Sequence, residues 1–284
     1  MTECGEENGR IALSWKVQLP PRRKNDMANA VRPQSKESRR LSIDSPLTAD
    51  SPYGLAHPGS LPTRVARHQR RKMFETFASR FTIGVTDTVL DVGVTSDRTH
   101  DHSNYLEAWW PRKDQITAVG VQNAGFLESW YPGLRFVQAD GCRLPFKDEA
   151  FEFVHSSAVL EHVGNRQRQI DFIRELVRVA RRGIFITTPN RWFPVEVHTM
   201  VPLLHWLPQR LFRNILAAAG QTFFAAEENL NLLTPRELAT AARAAGLQNF
   251  FVGSVALFGF PSNLLLLAQK SPSGLCSTRD GKAD

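Results

Sequence analysis

The sequence predicts an α/β fold, with a mostly parallel sheet, helices on both faces and an antiparallel strand pair at its C-terminal end. Three observations carry this. Between residues 88 and 188, short apolar runs of strand length alternate with stretches of helical spacing. The first run stops at a glycine and the last at a proline, where strand or helix cannot easily continue. After the final helix, two strand-like runs follow each other with no crossover helix between them, as an antiparallel pair does.

The elements follow in order. A helix is expected from about Arg64 to Phe81, with Val65, Phe74, Phe77 and Ala78 facing inward. Val89-Leu-Asp-Val-Gly93 is the first strand. Ser103 to Trp110 reads as helix, Ile116 to Val121 as the second strand, and Ala124 to Tyr131 as a helix ended by Pro132-Gly133. Leu134 to Asp140 and Phe151 to Ser156 are the third and fourth strands. Residues 166–180 place Ile170, Ile173, Leu176, Val177 and Ala180 at helical spacing. Gly183 to Thr188 is the fifth strand, stopped by Pro189. Thr234 and Glu237 form a capping box with Pro235 at the first helical position, and Gly246 ends that helix. Phe250 to Leu257 and Asn263 to Gln269 are the closing pair. The interval 190–233 fits neither pattern and reads as an insertion over the sheet's ligand end.

Composition narrows the function classes. The chain has 284 residues, 42% of them hydrophobic, enough for a sizeable core. The longest clean apolar run, Leu264 to Ala268, is strand-sized, well short of the roughly 18 residues a membrane span needs. Cys4, Cys142 and Cys276 stand far apart, which excludes a disulfide scaffold or cysteine zinc site and suits a reducing cytoplasm. The net charge of +7 is uneven: residues 1–72 hold 14 Lys+Arg against 7 Asp+Glu, and residues 73–284 hold 21 of each. The basicity is therefore assigned to the N-terminal leader, and no nucleic-acid partner is expected. Residues 1–62 lack apolar periodicity and are expected to form a disordered basic leader, with 271–284 a flexible tail.

Ligands of open α/β sheets lie outside the carboxyl ends of the strands. Those ends here read Asp91-Val-Gly93, Val121-Gln122, Ala139-Asp140-Gly141, Ser156-Ser157 and Thr188-Pro189-Asn190. Gly93 lets backbone approach a ligand, and Thr95, Ser96 and Asp97 are good helix-capping types. Asp140 offers a carboxylate that can accept from an exocyclic amine. Together these suit a nucleoside-like cofactor.

In this order and spacing, Val89 to Gly93, Ala139-Asp140-Gly141 with Leu144-Pro145-Phe146, and Phe151 to Val163 resemble class I S-adenosylmethionine-dependent methyltransferases of the broad type 11 group. The resemblance covers about residues 86–270 and implies a Rossmann-like seven-stranded sheet, a domain spanning 63–270, and S-adenosyl-L-methionine as cofactor. It implies that Asp91 and Gly93, with Thr95 and Ser96, approach the cofactor's methionine part. Gln122 stands where the family usually grips the ribose with an acidic residue. Asp140 and Gly141 match the adenine side, and Ser157 and Val159 lie beside the cofactor. Two departures stand out: Gly93 is the one glycine left of the family's alternating set, and Gln122 is an amide. They keep open a second reading, a non-catalytic methyltransferase-like binding or scaffold protein.

Methyl transfer is an in-line displacement in which the protein supplies alignment and a dry site. His162, beside Glu161 on the fourth-strand loop, and His198, in the insertion, are the candidate bases. The bland alternatives are that His162 packs the following helix and that Glu196-x-His198 and His205 satisfy loop polar groups. Asp97, His100, Asp101 and His102 read as a solvated capping cluster, and no metal site is expected. Ser156 and Ser157 lack the glycine pattern of a nucleophile elbow, and no G-x-G-x-x-G follows the first strand, which weakens hydrolase and nicotinamide readings. Trp192-Phe193-Pro194, Met200 to Leu207, and Leu211, Phe212, Ile215 and Leu216 beside Arg210 and Arg213 make the insertion apolar. It reads as a lid or groove for a small or lipophilic acceptor, with peripheral membrane contact through 192–216, or as a packed subdomain or dimer interface.

Overall fold

The structure is a computed structural model that describes residues 59–100, 102–196 and 198–270. The expected leader up to residue 58, the tail 271–284 and Asp101 lie outside the described residues.

Helix α1 (Leu61–Arg80) opens on Ser60, whose hydroxyl caps Thr63 N, with Pro62 in its first turn. Strand β1 (Val89–Val92) leads to the short helix α2 (Tyr105–Trp109), then β2 (Ile116–Gly120), α3 (Phe126–Trp130), β3 (Arg135–Gln138) and β4 (Phe151–Ser157). Helix α4 (Arg166–Val179) is capped by the Asn165 side chain and runs into β5 (Ala180–Pro189). The segment beyond contains α5 (Gln209–Ala218) and α6 (Thr222–Ala225). Helix α7 (Pro235–Ala244) carries the complete Thr234/Glu237 capping box, and β6 (Phe250–Leu257) and β7 (Phe260–Gln269) close the chain.

The seven strands form one sheet in the order β3-β2-β1-β4-β5-β7-β6. β1 to β5 pair in parallel; β7 runs antiparallel to both β5 and β6. The order reverses between β1 and β4, so the strand ends there open on a topological switch point.

Burial on both faces explains the apolar runs. Leu264 and Leu266 of β7 pack with Ile184, Phe172, Leu176 and Leu238 on the α4/α7 face. Leu265 and Leu267 point the other way and join Phe77, Phe153, Phe185 and Leu106 on the α1/α2 face. One inward expectation fails. Ala78 is exposed, whereas Gln69 and Met73 are buried with Phe74 and Phe77. Gln69 reaches the Ala256 carbonyl and Ser262 Oγ, so a polar position serves the interior by hydrogen bonding to the β6–β7 hairpin.

The insertion has a small core of its own, formed by Phe212, Leu216, Phe224, Leu230 and Leu232. Asn231 fastens it to the loop after β4. Its N–H donates to the Glu161 carbonyl and its side-chain amide to Gly164 O.

Candidate active site at the carboxyl edge of the sheet

β1 ends at Gly93, which has φ +110°, a backbone state that L-residues avoid. A Cβ added there would sit 1.9 Å from Cγ2 of Val159. Two residues predicted beside one ligand are thus in mutual contact. Ala158, just before Val159, is also left-handed at φ +56°, a local strain on the loop after β4.

The loop after Gly93 satisfies itself. Asn104 Oδ1 accepts from Thr95 N, and its amide returns a bond to Thr95 O. Asp97 accepts from Thr99 N and Ser103 Oγ, with His100 Nδ1 at 3.3 Å. Asp97 thus orders its own loop rather than capping a helix, since α2 starts after Asn104 with no side-chain cap, and the cluster is not solvated: the Asp97 and His100 side chains are largely covered and His102 is buried. Ser96 Oγ donates to Gln122 Oε1 at 2.7 Å, joining the loops after β1 and β2.

Gly93, Ser96, Gln122, Asp140 and Ala158 are exposed along this edge. Asp140 accepts from Cys142 N through Oδ1 and lies 3.4 Å from Arg168 Nη2 through Oδ2. Gly141 is buried, and a side chain there would strike Phe172 and Val92. Ser157 Oγ is paired with Thr187 Oγ1 at 2.9 Å. These residues fit an adenosyl cofactor in donor type and access: an open glycine backbone, an amide in reach of hydroxyls and an exposed carboxylate.

Asp91 sits behind that edge. The β1–β4 register places it beside His155, whose Nδ1 lies 2.7 Å from Asp91 Oδ1; Tyr105 Oη is 2.8 Å from His155 Nε2. Burial lowers His155 to about 4, so the ring is neutral, and burial raises Asp91 to about 7. With Asp91 ionised, Tyr105 donates to Nε2 and Nδ1 donates to Asp91. Phe185 stacks on His155 and Phe77 meets it edge-on. Glu107 is fully buried nearby; no fixed donor reaches its carboxylate oxygens, and its partner is the Asp91 carboxyl, with which it can share a proton. Burial, followed by the charge of Asp91, raises its pKa well above the usual range.

His162 and His198, 36 positions apart in the chain, meet at 3.1 Å between their Nε2 atoms. His162 Nδ1 donates to the Asn229 carbonyl at 2.6 Å, and His198 Nδ1 to Glu196 Oε1 at 2.7 Å. Burial lowers the pKa of His162. Burial would also lower that of His198, but Glu196 outweighs it and raises the value. Thr188 Oγ1 donates to Glu161 Oε2 at 2.9 Å, which fixes that buried carboxylate beneath the pair. His205 is used structurally, with Nε2 on the Phe193 carbonyl. Trp192, Met200, Leu203, Trp206 and Leu211 of the insertion are exposed.

Comparison with known proteins completes the picture. Residues 111–187 match the family described as a methyltransferase domain. Residues 111–187 thus carry the sequence pattern of a methyltransferase domain. Among curated proteins, 52 residues are 38% identical to the tRNA (carboxymethyluridine(34)-5-O)-methyltransferase of Saccharomyces cerevisiae. That match spans 18% of this chain and only 19% of the yeast protein. Solved structures similar to the methyltransferase domain include a possible histamine N-methyltransferase from Thermotoga maritima. It is 12% identical at TM-score 0.48, covering 74% of this chain and 92% of that one. A magnesium protoporphyrin IX methyltransferase from Synechocystis, solved with S-adenosylhomocysteine, is 14% identical at TM-score 0.47 and covers 78% and 91%.

Sequence reasoning singled out neither His155 nor Tyr105. The signal was the period of two along β4: Phe153 and His155 share a face, and that face also receives Asp91 from β1.

Proposed function

We propose that the protein binds S-adenosyl-L-methionine along the edge formed by Gly93, Gln122, Asp140 and Val159 and transfers its methyl group to a small-molecule or lipid-like acceptor. The observation that carries this is the open carboxyl edge at the switch point, where one left-handed glycine, one amide and one carboxylate follow three adjacent strands. Gln122 would exchange its bond from Ser96 for ribose hydroxyls, and Asp140 would accept from the adenine amine. Gly93, with Thr95 and Ser96, would approach the methionine part by backbone. Asp91 would hold β1 in register through His155 rather than meet the cofactor directly. The bound cofactor supplies the electrophilic methyl group; the protein aligns it and excludes water. His162 and His198, where the insertion meets the loop after β4, would take part in acceptor activation, as bases or through an ion that they hold. The exposed apolar side chains from Trp192 to Leu211 suit a lipophilic acceptor or a membrane surface.

Incubation with methyl-labelled cofactor and lipid or small-molecule extracts tests this directly. Labelled product from the wild type, reduced at least tenfold in Asp140→Ala, is the expected result. Cofactor binding without any transfer would favour the non-catalytic binding or scaffold reading, which the single glycine of the first loop supports.

A nucleic-acid acceptor is the second reading, favoured by helix α1. Part of the N-terminal basic excess lies on this folded helix: Arg64, Arg67, His68 and Arg71 line an open cavity of about 450 Å³ with Trp109. The yeast tRNA enzyme gives the same direction. RNA binding that weakens steeply with salt would support this reading.

A further inference from the structure

We propose that Glu161, His162 and His198 hold a divalent transition-metal ion. One ligand atom from each lies within 4.8 Å of the other two, and His162 Nε2 is 3.6 Å from Glu161 Oε1 and 3.1 Å from His198 Nε2. Metal–nitrogen bonds of about 2.0–2.1 Å, meeting at tetrahedral or octahedral angles, place two nitrogens about 2.9–3.4 Å apart. The observed 3.1 Å lies in that range.

Proton accounting points the same way. The Asn229 carbonyl and the Glu196 carboxylate can only accept, so each imidazole carries its proton on Nδ1. The two Nε2 atoms then face each other at 3.1 Å, an arrangement that a shared proton or a cation between them would satisfy. The carboxylate of Glu161 faces the same point. It is fully buried, its Oε1 has no hydrogen-bond partner, and that atom lies 3.6 Å from His162 Nε2. A shared proton would leave it a long ion-pair contact, whereas an ion held by the two rings would bind it directly.

The surroundings are those of a metal site. Each ring's second nitrogen is oriented by an outer acceptor, which fixes the tautomer. Thr188 orients the other oxygen of Glu161. Gln169 ties the site loop to the insertion, donating to Leu160 O and Asn231 O. The side chains of His162 and His198 are 17% and 12% exposed, which leaves an approach for an ion and open coordination positions. Two imidazoles and one carboxylate suit Zn²⁺, Mn²⁺ or Fe²⁺. The binding claim does not depend on the transfer reaction, so either can fail alone.

The test uses the full chain without a polyhistidine tag, stripped with chelator and titrated with Co²⁺ as a spectroscopic probe. One equivalent should bind with visible ligand-field bands, and Zn²⁺ should displace it. Glu161→Gln and His198→Gln should each weaken binding at least tenfold, and Glu196→Gln, by loss of the outer partner, about 10–100-fold. No saturable binding at millimolar Co²⁺ or Zn²⁺, or unchanged binding in the folded variants, would overturn the proposal. Should the variants not fold, imidazole nitrogen NMR of the wild type decides. Both Nε2 resonances should move on adding Zn²⁺, and unmoved resonances would overturn the proposal.

Discussion

At the residue scale, Gly93 has two separate reasons to be glycine. Its φ of +110° penalises any side chain, and Val159 occupies the space a Cβ would need. Gly93→Ala should therefore destabilise the domain by about 2–4 kcal/mol in denaturant titration. Adding Val159→Ala should recover part of that loss by removing the clash while leaving the backbone strain. Glu107 gives a pH prediction. Its folded pKa is raised, so its contribution to stability is fully present below the unfolded value near 4.5 and is lost as pH rises. Glu107→Gln removes that titration. Its melting temperature relative to wild type should rise between about pH 5 and pH 8, by a few degrees. A constant difference would show that Glu107 does not titrate across that window.

At the element scale, the stability of the sheet rests on strands covered on both faces. Leu266 on β7 is fully buried against the α4/α7 face, and Leu266→Ala should cost about 2–5 kcal/mol by calorimetry or denaturant unfolding. Thr234→Ala removes one half of the α7 capping box and should cost about 1 kcal/mol. These elements were legible in the chain because their signals are local. The capping box sits within four residues, and the leucine run of β7 needs no partner to be recognised as a doubly covered strand. Gln122 and Asp140 were equally legible, since each follows its strand directly. The His162–His198 pair was not legible as a pair. Both histidines were candidates, but only the folding of the insertion, fastened by Asn231, brings the second ring to the first. The close spacing of residues 97–102 drew attention to a capping cluster, whereas the Glu161, His162 and His198 side chains that converge come from two distant stretches of the chain. The basic face of α1 was merged with the leader because charge was counted by segment, and the helix boundary at Leu61 divides that count.

At the scale of the whole molecule, the proposed cofactor site lies along the carboxyl edge of the sheet, and the insertion stands at the neighbouring end of β4 and β5. Among the described residues, no helix is long and apolar enough to cross a membrane. The lipid contact proposed above runs through the exposed side chains of Trp192, Met200, Leu203, Trp206 and Leu211. Vesicle sedimentation should show binding that falls at least several-fold in Trp192→Ser/Trp206→Ser; equal binding would remove the insertion from the contact. The central claim is cofactor binding at the edge that Gly93, Gln122 and Asp140 form. Isothermal titration with S-adenosylhomocysteine tests it most directly. The account predicts one saturable site per chain, weakened at least tenfold by Asp140→Ala. Absence of heat at millimolar ligand, together with an unshifted melting temperature, would contradict it.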